Sequence, residues 1–175
     1  MKPLQKIGIT VVVFSMFSCS TLRNAPDDVA LQTLNPDNLN MLDGKYERFG
    51  SKRDTDIFRD LFVREYNEDP TDHIVLKVID ARHIEVTLIN SDLKAKCEIR
   101  KGKIEGNYFV FKRKIRFHPR VITNLFKESS VRIGLLDNGN LTANSRGLVY
   151  GTTLFLFPFG EGEKRFGIEH KKLPF

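Results

Sequence analysis

The chain has 175 residues, 41% of them hydrophobic and 29% charged, with a formal net charge of +6. That length bounds it at about one domain with a real core. The mild basicity suits anionic lipid, lipopolysaccharide or glycan as readily as it suits no partner at all. Two cysteines and fourteen phenylalanines stand beside a complete lack of tryptophan.

Lys2 and Lys6 form a positive n-region, residues 7–17 form an apolar h-region, and small Ser18 precedes Cys19. This is the pattern of a secretory signal. The apolar run is shorter than the roughly 20 residues that span a bilayer. Phe17-Ser18-Cys19 also lacks the alanine pair of a conventional cleavage site. Met16-Phe17-Ser18-Cys19 resembles the lipobox of bacterial lipoproteins, in which the cysteine becomes the acylated first residue of the mature protein. Here Met16 stands for the usual leucine and Phe17 for the usual small residue. The resemblance implies a signal peptide over residues 1–18, lipidation at Cys19, and attachment to the membrane through the N-terminal lipid. Ser20 rather than an aspartate follows the cysteine, which by resemblance to Gram-negative sorting signals implies the outer membrane. Residues 20–24 lack the acidic cluster of exported lipoproteins, so the expected orientation faces the periplasm. Nucleic acid is not an expected partner in the envelope. Loss of Lys2 and Lys6 lowers the formal charge to about +4.

Residues 19–40 read as the lipidated cysteine and a tether, rich in Asn, Asp and Pro, with partial order expected over residues 29–34. The domain proper is expected over residues 41–175, with a first strand at residues 44–49. Residues 54–66 then read as a helix. Ile57, Phe58, Leu61, Phe62 and Tyr66 form one apolar stripe, while Arg59, Asp60, Arg64 and Glu65 face away. Asp54 or Thr55 can cap its start. The stripe must cover something apolar, and the sheet is the natural target.

From residue 73 onward the period is two. Strands are expected over residues 73–80, 83–90, 93–100, 103–117, 131–136, 141–149, 151–159 and 164–172. Their turns are placed at Ala81-Arg82, Lys101-Gly102, Asp137-Asn138-Gly139-Asn140 and Gly160-Glu161-Gly162, with a type I′ turn at Asn138-Gly139. In residues 93–99 the odd positions are apolar, so Cys97 reads as a small core residue; with Cys19 acylated it has no disulfide partner. Residues 119–130 read as a longer connection, either a second short helix or a lid. Residues 152–159 are apolar on both faces. They read as a strand buried on both sides or as an exposed patch that docks on membrane or partner. The fold class is therefore all-β, an antiparallel meander forming a small barrel or a strongly curled sheet, covered by one short helix.

The candidate binding residues are Lys112, Arg113, Lys114 and Arg116. In an unbroken strand Phe109, Phe111, Ile115 and Phe117 share an aromatic face, and Lys112, Lys114 and Arg116 form a solvated cationic strip suited to phosphate-bearing lipid or a sugar acid. Alternation puts Arg113 on the apolar side. It reads as a bulge residue, as an interior ion pair with Asp80 or Glu98, or as the anchor of a ligand carboxylate. His73 and His83 could meet across a hairpin, but no zinc spacing accompanies them, and neither a nucleophile elbow nor a phosphate loop is present. No metal, no cofactor and no catalytic residue is expected.

Gly44-Lys45-Tyr46, followed by a helix and a run of antiparallel strands, resembles the start of a lipocalin-type barrel, with Tyr46 where that family carries tryptophan. Residues 108–116 and 131–141 are similar to those of small β-rich lipoproteins of Gram-negative bacteria. Two functions follow as expectations. The first is a non-catalytic envelope lipoprotein that binds a partner (anionic lipid, glycan or envelope protein) or acts as a scaffold. The second is a carrier of a small amphiphile, lined by Phe109, Phe111, Phe155 and Phe157 with Arg113 at the acidic head.

Overall fold

Alternating apolar and polar residues give an antiparallel sheet of ten strands in the computed structural model, which describes residues 30–52, 55–62, 69, 71–90, 95–119, 123–153 and 157–174. The strands are β1 (Gly44–Glu47), β2 (His73–Asp80), β3 (His83–Ile89), β4 (Ala95–Glu105), β5 (Tyr108–Phe111), β6 (Lys114–Pro119), β7 (Thr123–Leu135), β8 (Leu141–Thr153), β9 (Phe157–His170) and β10 (Lys172–Leu173). Their order is β10-β1-β2-β3-β4-β5-β7-β8-β9, with β6 added to β7. Only Lys171 separates β9 from β10, so the open sheet curls until its two ends are one chain segment. The N–H groups of Glu47 and Ser51 donate to the carbonyls of Lys171 and Glu169 at 2.9 and 2.8 Å. The all-β, curled-sheet reading with one short helix holds.

The helix α1 (Ile57–Phe62) packs on β7 and β8 and buries Ile57, Phe58, Leu61 and Phe62, as its stripe requires. Tyr66 lies outside the described residues. The cap is neither Asp54 nor Thr55. Asp56 Oδ1 accepts from the N–H groups of Phe58 and Arg59 at 2.9 and 3.0 Å, while the Thr55 hydroxyl donates back to the Lys52 carbonyl. The other oxygen of Asp56 takes two bonds from Arg48, Nε at 3.0 Å and the guanidinium NH2 at 2.6 Å, and Arg48 also meets Asp72 at 2.5 Å. All three side chains are buried. One arginine thus ties the end of β1, the start of α1 and the residue ahead of β2. The core reaches upstream of Met41 as well. Leu34, Leu39 and Leu42 are buried, and Leu31 bridges Leu136.

Several turns lie elsewhere than the sequence suggests. The chain passes through Lys101-Gly102 as strand and reverses at Gly106-Asn107, where Gly106 has φ of +59°. Gly102 is required by contact rather than by a turn: a Cβ there would sit 2.4 Å from the Phe109 ring. Residues 123–130 are the first half of β7, not a helix or lid. Gly160-Glu161-Gly162 is not a turn but lies within β9, paired with residues 148–150 of β8. The Asp137–Asn140 hairpin is present. Its loop has three residues, closed by Gly139 N–H to Leu136 O and Leu136 N–H to Asn140 O, both 2.9 Å, so it is not type I′.

The alternation itself is displaced twice. Four residue steps lead from Val110 to Lys114, but three lead between their partners Arg132 and Ser129. This one-residue bulge at Lys112-Arg113 reverses the faces: Phe109 and Phe111 point into the core, whereas Ile115 and Phe117 point out, 46% and 52% exposed. In β4 the pairing of Ile84 with Arg100 and Val86 with Glu98 turns Arg100 inward and leaves Cys97 and Ile99 exposed, so Cys97 is not a core residue.

Replacing Arg48 by methionine strands the Asp56 and Asp72 carboxylates in the interior. We expect Arg48→Met to lose about 3–5 kcal/mol of stability in urea unfolding. A loss under 1 kcal/mol would mean that the three residues do not form the observed cluster.

Candidate functional site

Beyond the core, residues of β6, β7, β8 and β9 continue as a four-stranded arm, in register from Lys114↔Ser129 to Pro119↔Asn124 and from Ser145↔Arg165 to Thr153↔Phe157. Residues that alternate with the core positions Val131, Ile133 and Leu135 make the outer face. It carries Ile115, Phe117, Phe126 and Tyr150. The rings of Phe117 and Phe126 are 4.8 Å apart, and Phe126 stacks on Tyr150 at 5.3 Å. The inner face carries Lys114, Arg116, Lys127, Phe157 and Phe159, of which Phe157 is 63% exposed and Phe159 41%. Phe157 and Phe159 are therefore not part of a strand buried on both sides.

Where the arm leaves α1 it leaves a cleft of about 330 Å³, lined by Asp60, Lys127, Ser129, Ser145, Glu163 and Arg165 among others. Asp60, expected to face away from the sheet, lies at its floor. Its Oδ2 accepts from the Ser145 hydroxyl at 2.5 Å, its Oδ1 lies 3.2 Å from an Arg165 nitrogen, and its carbonyl accepts from the Ser129 hydroxyl. Arg165 is held from the other side by Glu163 at 2.6 and 2.7 Å. Burial raises the Asp60 carboxyl above its ordinary range, against the opposing pull of Ser145 and Arg165. These groups satisfy one another. Together they brace α1 against β7, β8 and β9, a bidentate arginine joining two carboxylates from different elements.

The bulge disperses the four candidate cations. Lys112 and Arg113 are exposed at the break, and Arg113 pairs with Glu128 at 3.3 Å, so it meets neither Asp80 nor Glu98. Lys114 turns to the inner face, where it meets Glu98 at 2.8 Å and lies 5.0 Å from the Phe62 ring centre. Arg116 follows on the same face, half-buried. Arg100, which the sequence reading did not single out, is a further buried cation: it donates to the Lys112 carbonyl at 3.0 Å and covers Phe62. Of the residues proposed to line a carrier, Phe109 and Phe111 are packed in the core, Phe157 is on the arm, and Phe155 lies outside the described residues. His73 and His83 sit at opposite ends of the β2–β3 hairpin, and His83 pairs with Asp80 at 2.9 Å. No group of three metal-ligating side chains occurs among the described residues.

No protein-family model, no curated protein and no solved structure matches the chain.

His170, at the end of β9, is buried, and its Nδ1–H donates to the Glu47 carbonyl at 3.1 Å. Burial depresses its pKa to about 4. The folded protein therefore holds it neutral where the unfolded chain, titrating near 6.5, takes up a proton. Its contribution is complete above about pH 6.5 and is lost as pH falls toward 4, at roughly 1.4 kcal/mol per unit. We expect wild type to lose roughly 3 kcal/mol more than His170→Gln between pH 7 and 4 in urea unfolding. Parallel pH profiles would show that His170 is not buried neutral.

Proposed function

We propose that the chain is an envelope lipoprotein, anchored to the outer membrane by an acyl group on Cys19 and facing the periplasm, whose domain binds a partner or acts as a scaffold without catalysis. The observation that carries the binding reading is the filled interior. The α1 stripe, Leu34, Leu39 and Leu42 occupy the space that a carrier would leave for its cargo, alongside Phe109 and Phe111. Recognition is then left to surfaces, and the arm carries Phe117, Tyr150, Phe157 and Phe159, the exposed aromatic residues of the described domain. The polar cluster around Asp60 supports the same reading, because its members are spent on one another in holding the arm to α1. Anionic lipid, glycan and envelope protein all remain within the proposed partner class. Attachment by Cys19 is the route proposed for the mature domain; among the described residues no helix is long and apolar enough to cross a membrane.

The anchoring half is tested by Cys19→Ala. Acyl labelling should be abolished and the protein should move to the soluble fraction, whereas unchanged labelling would overturn it.

A further inference from the structure

The described residues of the distal third of the arm are uncharged, and Arg120 is the one charged residue that the sequence places among them. Residues 117–119, 123–126, 149–153 and 157–160, sixteen in all, contain no Asp, Glu, Lys or Arg, although 29% of the chain is charged. Charge returns immediately behind them, at Arg116, Lys127 and Glu161. The tip carries aromatic side chains on both faces, with Phe117, Phe126 and Tyr150 outside and Phe157 and Phe159 inside. We propose that this tip dips into the surface of a phospholipid bilayer, so that the domain touches the membrane directly as well as through its anchor.

The two-sided pattern selects the occupant. A protein partner laid on a sheet covers one face and leaves the other in water, whereas acyl chains and headgroups surround a tip on both faces. Aromatic rings in a segment poor in charge, with Arg116 and Lys127 behind it, match the order of side chains across a membrane interface. Exposed Lys112 and Arg113 lie behind the tip, where anionic headgroups would be. The backbone limits the depth. Among the described residues β6 pairs only with β7 and the distal half of β9 only with β8, so the outer edges of the arm present unpaired N–H and C=O groups. Hydrocarbon penalises each such group by several kcal/mol, which confines the tip to the interfacial layer.

The geometry of the chain allows this contact. Leu31 bridges Leu136 at the far end of β7, and the thirteen residues of that strand put the tip about 40 Å away. Twelve residue steps separate Cys19 from Leu31 and span at most about 40 Å when extended, enough for the arm to lie back along the bilayer that holds the lipid. The inference deepens the envelope reading and rests on it only for the presence of a bilayer.

Because the chain lacks tryptophan, a single indole reports one position. Phe157→Trp, Phe117→Trp and an off-arm control at exposed Ile99, Ile99→Trp, are made in the full chain and reconstituted in phosphatidylethanolamine–phosphatidylglycerol vesicles. Flotation of the same samples reports separately whether the anchor holds. In floated protein, both tip indoles should be quenched by brominated acyl chains and shift to the blue, and the Ile99→Trp indole should not. Tip indoles that stay unquenched by bromine and open to aqueous iodide would overturn the proposal. Tip indoles shielded from both quenchers would overturn it too, in favour of a protein covering the arm.

Discussion

One extra residue between Phe111 and Lys114 decides the character of the arm. A strand has a side-chain period of two, so a single insertion moves every later side chain to the opposite face. Without it, Ile115 and Phe117 would continue the buried row of Phe109 and Phe111, and Lys114 and Arg116 would meet solvent. With it, the two basic residues turn inward. Lys114 finds Glu98 and the Phe62 ring there, while the aromatic residues join Phe126 and Tyr150 on the outside. A second displacement acts on β9, where the register shifts between Ala143 and Ser145 and Gly167 takes φ of +60°. The Gly167 N–H donates to Asn144 Oδ1 at 2.7 Å, which secures that kink. It lets Ile168 and His170 face the core while Arg165 still reaches Asp60.

The two halves of the molecule are built on different physics. Around α1 the sheet is closed over by apolar packing and by a buried ion cluster. The worth of that cluster lies in position rather than net energy, since its desolvation cost offsets much of its attraction. Arg48 fixes where α1 begins, Asp56 both caps the helix and holds the arginine, and Asp60 one turn later meets β8 and β9. The arm has no second layer among the described residues. Its ladder bonds are complete between strands, but its aromatic side chains are left to the surroundings. The core is filled, and the arm ends in exposed aromatic side chains.

The sequence made the helix stripe, the strand-rich architecture, the Ala81-Arg82 turn and the hairpin near Gly139 legible, because each depends on local spacing or local turn chemistry. What escaped it was register. Nothing local distinguishes Lys101-Gly102 from Gly106-Asn107 as the turning point. The former looks like a turn, and its glycine is instead demanded by the Phe109 ring across the strand. Cys97 and Ile99 look inward by alternation, yet the pairing of β3 with β4 places Glu98 and Arg100 there. Asp60 looked like a solvent residue because the partners that hold it, Ser145 and Arg165, are 85 and 105 positions away. Arg113 was the one sequence signal of the bulge: an arginine at an apolar position of an otherwise regular strand.

The register of β6 against β7 is the claim on which the account turns, and a disulfide reads it directly. Directly opposed residues of neighbouring strands have Cα atoms about 4.5–5.5 Å apart, within disulfide range. In a Cys97→Ser background, the pair Phe117→Cys with Phe126→Cys should cross-link on mild oxidation, and Arg116→Cys with Phe126→Cys should not. Cross-linking of the second pair alone would mean that the bulge is absent and that Ile115 and Phe117 point inward.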